Sequence, residues 1–167
     1  MKYNKLSLMK LENPNFPINE SIIFDPNLIA NTKGLNDLKD VKVIGEATYH
    51  SSNELLHFDL KIKGVMNVNC AYTLEPVDYP FETDLVLEFA FMDGEMLDED
   101  IIVCKGNNID ITPYVYEEIV CSIPLKVVKK DATLPKKGKG WELKDDHEDV
   151  KEEQIDPRLA KLKELFK

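Results

Sequence analysis

Between Leu56 and Cys70 the chain alternates with a period of two. Leu56, Phe58, Leu60, Ile62, Gly64, Met66, Val68 and Cys70 fall on even positions, and His57, Asp59, Lys61, Lys63, Val65, Asn67 and Asn69 lie between them. In an extended backbone successive side chains point to opposite faces, so this segment predicts a strand with one buried and one wet face. It outruns the usual strand of about five or six residues, and Gly64 near its middle is the expected place for a bulge or bend. After a break at Ala71–Pro76 the alternation resumes on odd positions with Val77, Tyr79, Phe81, Thr83, Leu85, Leu87, Phe89 and Phe91, while Asp78, Glu82, Asp84 and Glu88 face water. Two long alternating strands with a short connector predict an antiparallel hairpin. A third strand, Val41–Tyr49, precedes them and ends in the turn His50-Ser51-Ser52-Asn53.

Helices are few. Thr112-Pro113 is a start signal, with Thr112 as N-cap and proline at the first helical position. Val115, Tyr116, Ile119, Val120 and Ile123 follow at helical spacing, and Pro124 requires a stop near Ser122. Asp25-Pro26 opens a further turn carrying Leu28 and Ile29, and Asp156-Pro157 begins a C-terminal helix with Leu159, Leu162, Leu165 and Phe166 on one stripe. The prediction is an α+β fold: a strongly bent antiparallel β-sheet, open or partly closed as a barrel, with one packed helix over 113–123 and a short C-terminal helix. Residues 1–128 form the folded domain and 129–154 a mobile linker, basic and then acidic. Residues 155–167 are the amphipathic helix returning to the same domain. A second acidic, flexible loop is expected at 93–100.

The inventory of reactive residues argues against an enzyme. His50, His57 and His147 have no serine or cysteine at motif spacing, and no phosphate-binding glycine loop is present. Cys70, Cys104 and Cys121 are isolated rather than paired, so they predict no metal site and read as small core residues. No cofactor is expected. Three cysteines without a framework suit a reducing cytoplasm, and the N-terminal residues Met1-Lys2-Tyr3-Asn4-Lys5-Leu6 lack a secretory pattern. No apolar run approaches the roughly eighteen residues of a membrane helix, so no membrane partner is expected.

Charge narrows the partners further. Among 167 residues, 21 Lys and Arg face 31 Asp and Glu, a formal net charge of −10. Such a chain is unsuited to gripping DNA or a duplex backbone by bulk electrostatics. The acidity is concentrated: Asp145, Asp146, Glu148, Asp149, Glu152, Glu153 and Asp156 face Lys151 alone. Upstream, Lys136-Lys137-Gly138-Lys139-Gly140-Trp141 combines cations with one stacking aromatic, the composition that touches single-stranded RNA.

Several landmarks occur in an order that resembles the YceD family, a domain of unknown function (177) described as a large ribosomal RNA subunit accumulation protein. They are Gly64-Val65-Met66-Asn67-Val68-Asn69-Cys70, then Ile109-Asp110-Ile111 leading to Cys121-Ser122-Ile123-Pro124, and finally Ile155-Asp156-Pro157-Arg158-Leu159-Ala160-Lys161-Leu162. The resemblance runs from about Val41 to the C-terminus and is nearest the Gram-positive type. It implies a role in ribosome biogenesis through accumulation of 23S ribosomal RNA, and no catalytic residue comes with it. Many relatives carry Cys-x-x-Cys where this chain has Cys70-Ala71-Tyr72-Thr73, with further His or Cys ligands after the proline matching Pro124. Leu125–Leu134 contains neither, so the relatives' metal site is not carried over.

Three functions are consistent with these features. The first is a cytoplasmic assembly factor that binds a basic ribosomal protein or a preribosomal particle, steered by the acidic segments 93–100 and 145–156, with Asp145, Asp146, Glu148, Asp149, Glu152 and Glu153 the steering residues. The second is direct contact with large-subunit ribosomal RNA through Lys61, Lys63, Lys136, Lys137, Lys139 and Trp141. The third is a β-barrel holding a small apolar ligand.

Overall fold

The computed structural model describes residues 1–91, 100–130, 132 and 137–142. These belong to two units, one of residues 1–132 and a second beginning at residue 133.

Period-2 segments become three long strands in the first unit, β3 (Asp37–His50), β4 (Leu55–Asn69) and β5 (Pro76–Ala90). Shorter strands flank them: β1 (Lys2–Asn4), β2 (Asn15–Ser21), β6 (Ile102–Val103) and β7 (Asn108–Asp110). The main sheet runs β2-β3-β4-β5-β6, antiparallel except for the two-residue β6, which pairs parallel with β5. It has two edges, so the described residues form an open sheet and not a closed barrel. Pro17 lies in the edge strand β2, where a missing N–H is tolerated. β1 and β7 make a separate two-stranded sheet joining the N-terminus to the segment before α3 (Thr112–Cys121).

The even face of β4 is buried as the alternation predicts. Leu56, Phe58, Leu60, Ile62 and Met66 are each no more than 1% exposed. Val41, Val43 and Ala47 of β3, with Phe81, Leu85 and Phe89 of β5, complete the same face. α3 lays Val115 and Ile119 onto it, α2 (Pro26–Ala30) adds Ile29, and α1 (Lys5–Leu8) contributes Leu8 to the same core. Each such side chain removed from water contributes about 1.5–3 kcal/mol. Among the described residues no helix is long and apolar enough to cross a membrane.

Two local expectations need correction. The irregularity at Gly64 is carried by the partner strand: between the pairs Lys39–Val65 and Lys42–Lys63, both Asp40 and Val41 oppose Gly64 alone. Asp40 adopts φ 52°, the backbone cost of that bulge. Gly64 serves as space, since a Cβ there would lie 3.0 Å from the Phe81 ring and 3.2 Å from the Lys39 carbonyl. The helix start is also shifted. Ile111 occupies the cap of α3, while Asp110 Oδ1 accepts from the Thr112 N–H at 3.0 Å. Thr112 Oγ1 is instead engaged by the N-terminal ammonium of Met1. At α2 the Asp25 side chain caps Asn27 N–H at 2.8 Å, as expected.

One core group is left without a partner. Tyr3 packs its ring against Phe58 and Phe16, and its hydroxyl is buried with no hydrogen-bond partner among the described residues. Burial, aided by the charge of Glu20, pushes its ionisation from 10.0 up to about 12. A folded value above the unfolded one means stability is intact below pH 10 and falls as pH rises from 10 towards 12. Tyr3→Phe is expected to match or exceed the parent at neutral pH by up to about 1 kcal/mol and to lose less in that alkaline window. Urea midpoints against pH measure this; a clear destabilisation at pH 7 would mean that the hydroxyl has a partner.

Candidate functional site

The face of β3–β5 opposite the core is open to water, and register decides what its charges do. Lys61 stands across from Asp84 and Lys63 from Glu82. Lys61 Nζ reaches Glu82 at 2.9 Å and Asp84 at 3.1 Å, and Lys63 Nζ reaches Glu82 at 3.1 Å. Hydrogen bonds from Lys61 and then Lys63 hold the Glu82 carboxyl below its usual range, and the Glu82 and Asp84 carboxylates raise Lys61. Further along, Asn67 Nδ2 donates to Asp78 Oδ1 at 2.6 Å and Lys39 Nζ lies 3.3 Å from the same oxygen, which lowers Asp78. Such exposed pairs add little to stability, but they do set the local potential. Glu46 lies opposite Asp59, and Glu88 opposite His57. A shallow depression between Pro17, Ile44, Glu46, Asp59, Lys61 and Asp84 marks the middle of this face.

At the end of the β4–β5 hairpin a turn and a passing strand form a knuckle. Cys70 N–H donates to the Glu75 carbonyl and Leu74 N–H to the Cys70 carbonyl, closing the turn. The segment after Pro124 runs beside it, with Ala71 N–H donating to the Val127 carbonyl at 2.8 Å. Lys129 N–H points at Cys70 Sγ, 3.5 Å away. That N–H, then the Thr73 hydroxyl and the Thr73 and Tyr72 N–H groups, draw the wholly buried Cys70 thiol down to about 6. Relatives with Cys-x-x-Cys would place metal ligands here. In this chain Thr73 occupies the second position, which leaves Cys70 as the lone thiol of the turn, so these residues do not fit a metal ion. Among the described residues no cluster of three or more His, Cys, Asp or Glu is placed to hold one.

The three cysteines are therefore in three environments. Cys70 is buried as expected and Cys104 is half-buried, but Cys121 is exposed at the end of α3, which corrects its reading as a core residue. Reactivity needs access as well as a thiolate. Expected, then, is rapid modification of Cys121 by a thiol reagent on the folded protein, with Cys70 reacting only on opening. Peptide mapping after brief labelling checks this, and equal labelling of both would contradict the burial of Cys70.

The sequence-predicted contact residues are divided between the two units. Lys61 and Lys63 are neighbours on the exposed sheet face, as their parity implies, and both are paired with carboxylates. In the second unit, β8 (Lys137–Gly138) and β9 (Trp141–Glu142) form a minimal hairpin, turning at exposed Lys139 and at Gly140 with φ 91°. Lys136 and the acidic residues Asp145, Asp146, Glu148, Asp149, Glu152 and Glu153 lie outside the described residues, as do most of the 93–100 loop and the C-terminal helix. Sequence reading missed the roles of Glu82 and Asp84. The signal was opposite charge at equal parity on consecutive strands, usable only once the register is known. It also missed the meeting of Tyr72 with Lys126, which no local pattern announces.

Comparison with known proteins adds two findings. Residues 58–166 match the family model described as "Large ribosomal RNA subunit accumulation protein YceD". Over 172 aligned residues, covering 100% of this chain and 97% of the other, the chain is 31% identical to YlbN of Bacillus subtilis (strain 168), an uncharacterized protein. No solved structure matches it.

Proposed function

We propose, since the chain belongs to the YceD family of large ribosomal RNA subunit accumulation proteins, that it is a cytoplasmic ribosome biogenesis factor needed for accumulation of 23S ribosomal RNA. It acts without catalysis, by binding a basic ribosomal protein or a preribosomal particle. The observation that carries this reading is the charge arrangement on the open sheet face. Lys61 and Lys63, the cations best placed to meet a phosphate backbone, are already engaged by Glu82 and Asp84. Glu46, Asp59 and Glu88 stand on the same face, so it favours a cationic partner over RNA. Ribosomal proteins are such partners, and complementary charge speeds their capture. Affinity capture from lysate with and without nuclease tests the reading. A basic large-subunit protein retained after nuclease is expected, and loss of every ribosomal protein on nuclease treatment would sink it.

A further inference from the structure

The chain has 31 acidic residues, yet its two longest stretches without one are residues 60–74 and 119–130. They are distant in sequence and contain Lys61, Lys63, Lys126, Lys129 and Lys130. The fold brings the end of the first against the end of the second at the knuckle, through the bond from Ala71 N–H to the Val127 carbonyl. Glu75, which closes the turn, is held by Lys129 Nζ at 3.0 Å. Lys126 Nζ sits 4.8 Å from the centre of the Tyr72 ring, pinning an aromatic face beside a cation. Lys126 and Lys130 are exposed, and so are the apolar side chains of Leu74 and Leu125. Leu74 is held with φ 59°, an unfavourable backbone for a leucine that keeps its side chain in water.

We propose that this knuckle is a contact surface for single-stranded RNA, with Lys126 and Lys130 on phosphates and the Tyr72 ring against a base. The inference deepens the functional reading above and rests on it: a factor held to a preribosomal particle by its acidic sheet face turns a separate basic end to the RNA of that particle. Exposed cations such as Lys126 and Lys130 next to an aromatic ring, with the Glu75 carboxylate of the turn engaged by Lys129, are the composition that binds an unpaired strand without sequence preference. The exposed leucines add apolar contact for bases or riboses. The sheet face, where every lysine named above has a carboxylate close by, lacks these properties.

The test uses the full-length protein and a fluorescein-labelled single-stranded RNA of about 16 nucleotides, followed by anisotropy from about 50 to 200 mM salt. The double variant Lys126→Ala/Lys130→Ala is expected to bind about tenfold more weakly, with a salt slope flatter by about 1.4. Tyr72→Ala is expected to weaken binding about tenfold and Tyr72→Phe to retain it, which separates stacking from a folding defect. Lys2→Ala/Lys10→Ala serves as a charge control and is expected to change affinity less than twofold. Unchanged binding in the knuckle variants overturns the inference, as does an equal loss in the charge control. Equal competition by a polyglutamate peptide of the same charge overturns it too, and assigns the surface to an acidic protein. If ribosomal proteins are still captured while the wild-type protein ignores the probe, this inference fails alone. If capture fails while the probe binds, the functional reading fails instead.

Discussion

Gly45→Ala is expected to be the most damaging small change in the molecule, costing about 3 kcal/mol or more. A Cβ at Gly45 would lie 2.0 Å from the carbonyl oxygen of Asp59 and 2.9 Å from the Cα of Leu60. Both are backbone atoms of β4, so no side-chain rotation relieves the clash; β3 and β4 would have to separate. That pair is continuous from Lys42–Lys63 to His50–Leu55, and forcing it open at Gly45 disturbs the centre of the sheet. Gly64→Ala, by contrast, meets mainly the edge of the Phe81 ring at 3.0 Å and the Lys39 carbonyl at 3.2 Å, and is expected to cost less. Urea denaturation of the two variants checks the order. Equal midpoints for Gly45→Ala and the parent would mean that the strands are not so close.

Phe58→Ala is expected to cost about 3–5 kcal/mol. Phe58 is wholly buried, and its ring links separate parts of the fold: Tyr3 of β1 at 5.2 Å and Phe89 of β5 at 5.9 Å, the latter edge-on. Phe89 in turn meets Tyr114 of α3 at 5.4 Å. Truncation leaves a cavity where the N-terminal strand, the sheet and the helix layer meet, and rigid strands on either side limit its collapse. A double-mutant cycle with Phe89→Leu is expected to show coupling of about 0.5–1.5 kcal/mol beyond area burial. A loss under about 1.5 kcal/mol for Phe58→Ala would show that the N-terminal strand closes over the space.

Much of this architecture was legible before any coordinates. The alternation from Leu56 to Cys70 named the buried residues of β4, and Asp25-Pro26 and Pro124 marked a helix start and a helix stop. Each depends on geometry confined to a few neighbouring residues. β1 and β7 were not legible: three residues each, they are strands only because Lys2 pairs with Asp110 and Asn4 with Asn108. The bulge was read at the right level but on the wrong strand, because Gly64 is the visible residue while Asp40 and Val41 carry the extra length. At the candidate site, parity showed that Lys61 and Lys63 face water. It did not show that Glu82 and Asp84 would meet them.

What the sequence determined by itself is which face of each long strand is dry, since a period of two is a property of one extended chain. It also determined that the protein is acidic overall, and its ordered landmarks indicated the family. Tertiary structure alone decided which charges cancel and which do not. Strand register set Lys61 and Lys63 among carboxylates, while the return of the chain after α3 laid Lys126 over Tyr72. Coulomb interactions depend on separation in space, and only the folded chain sets that separation for residues far apart in sequence.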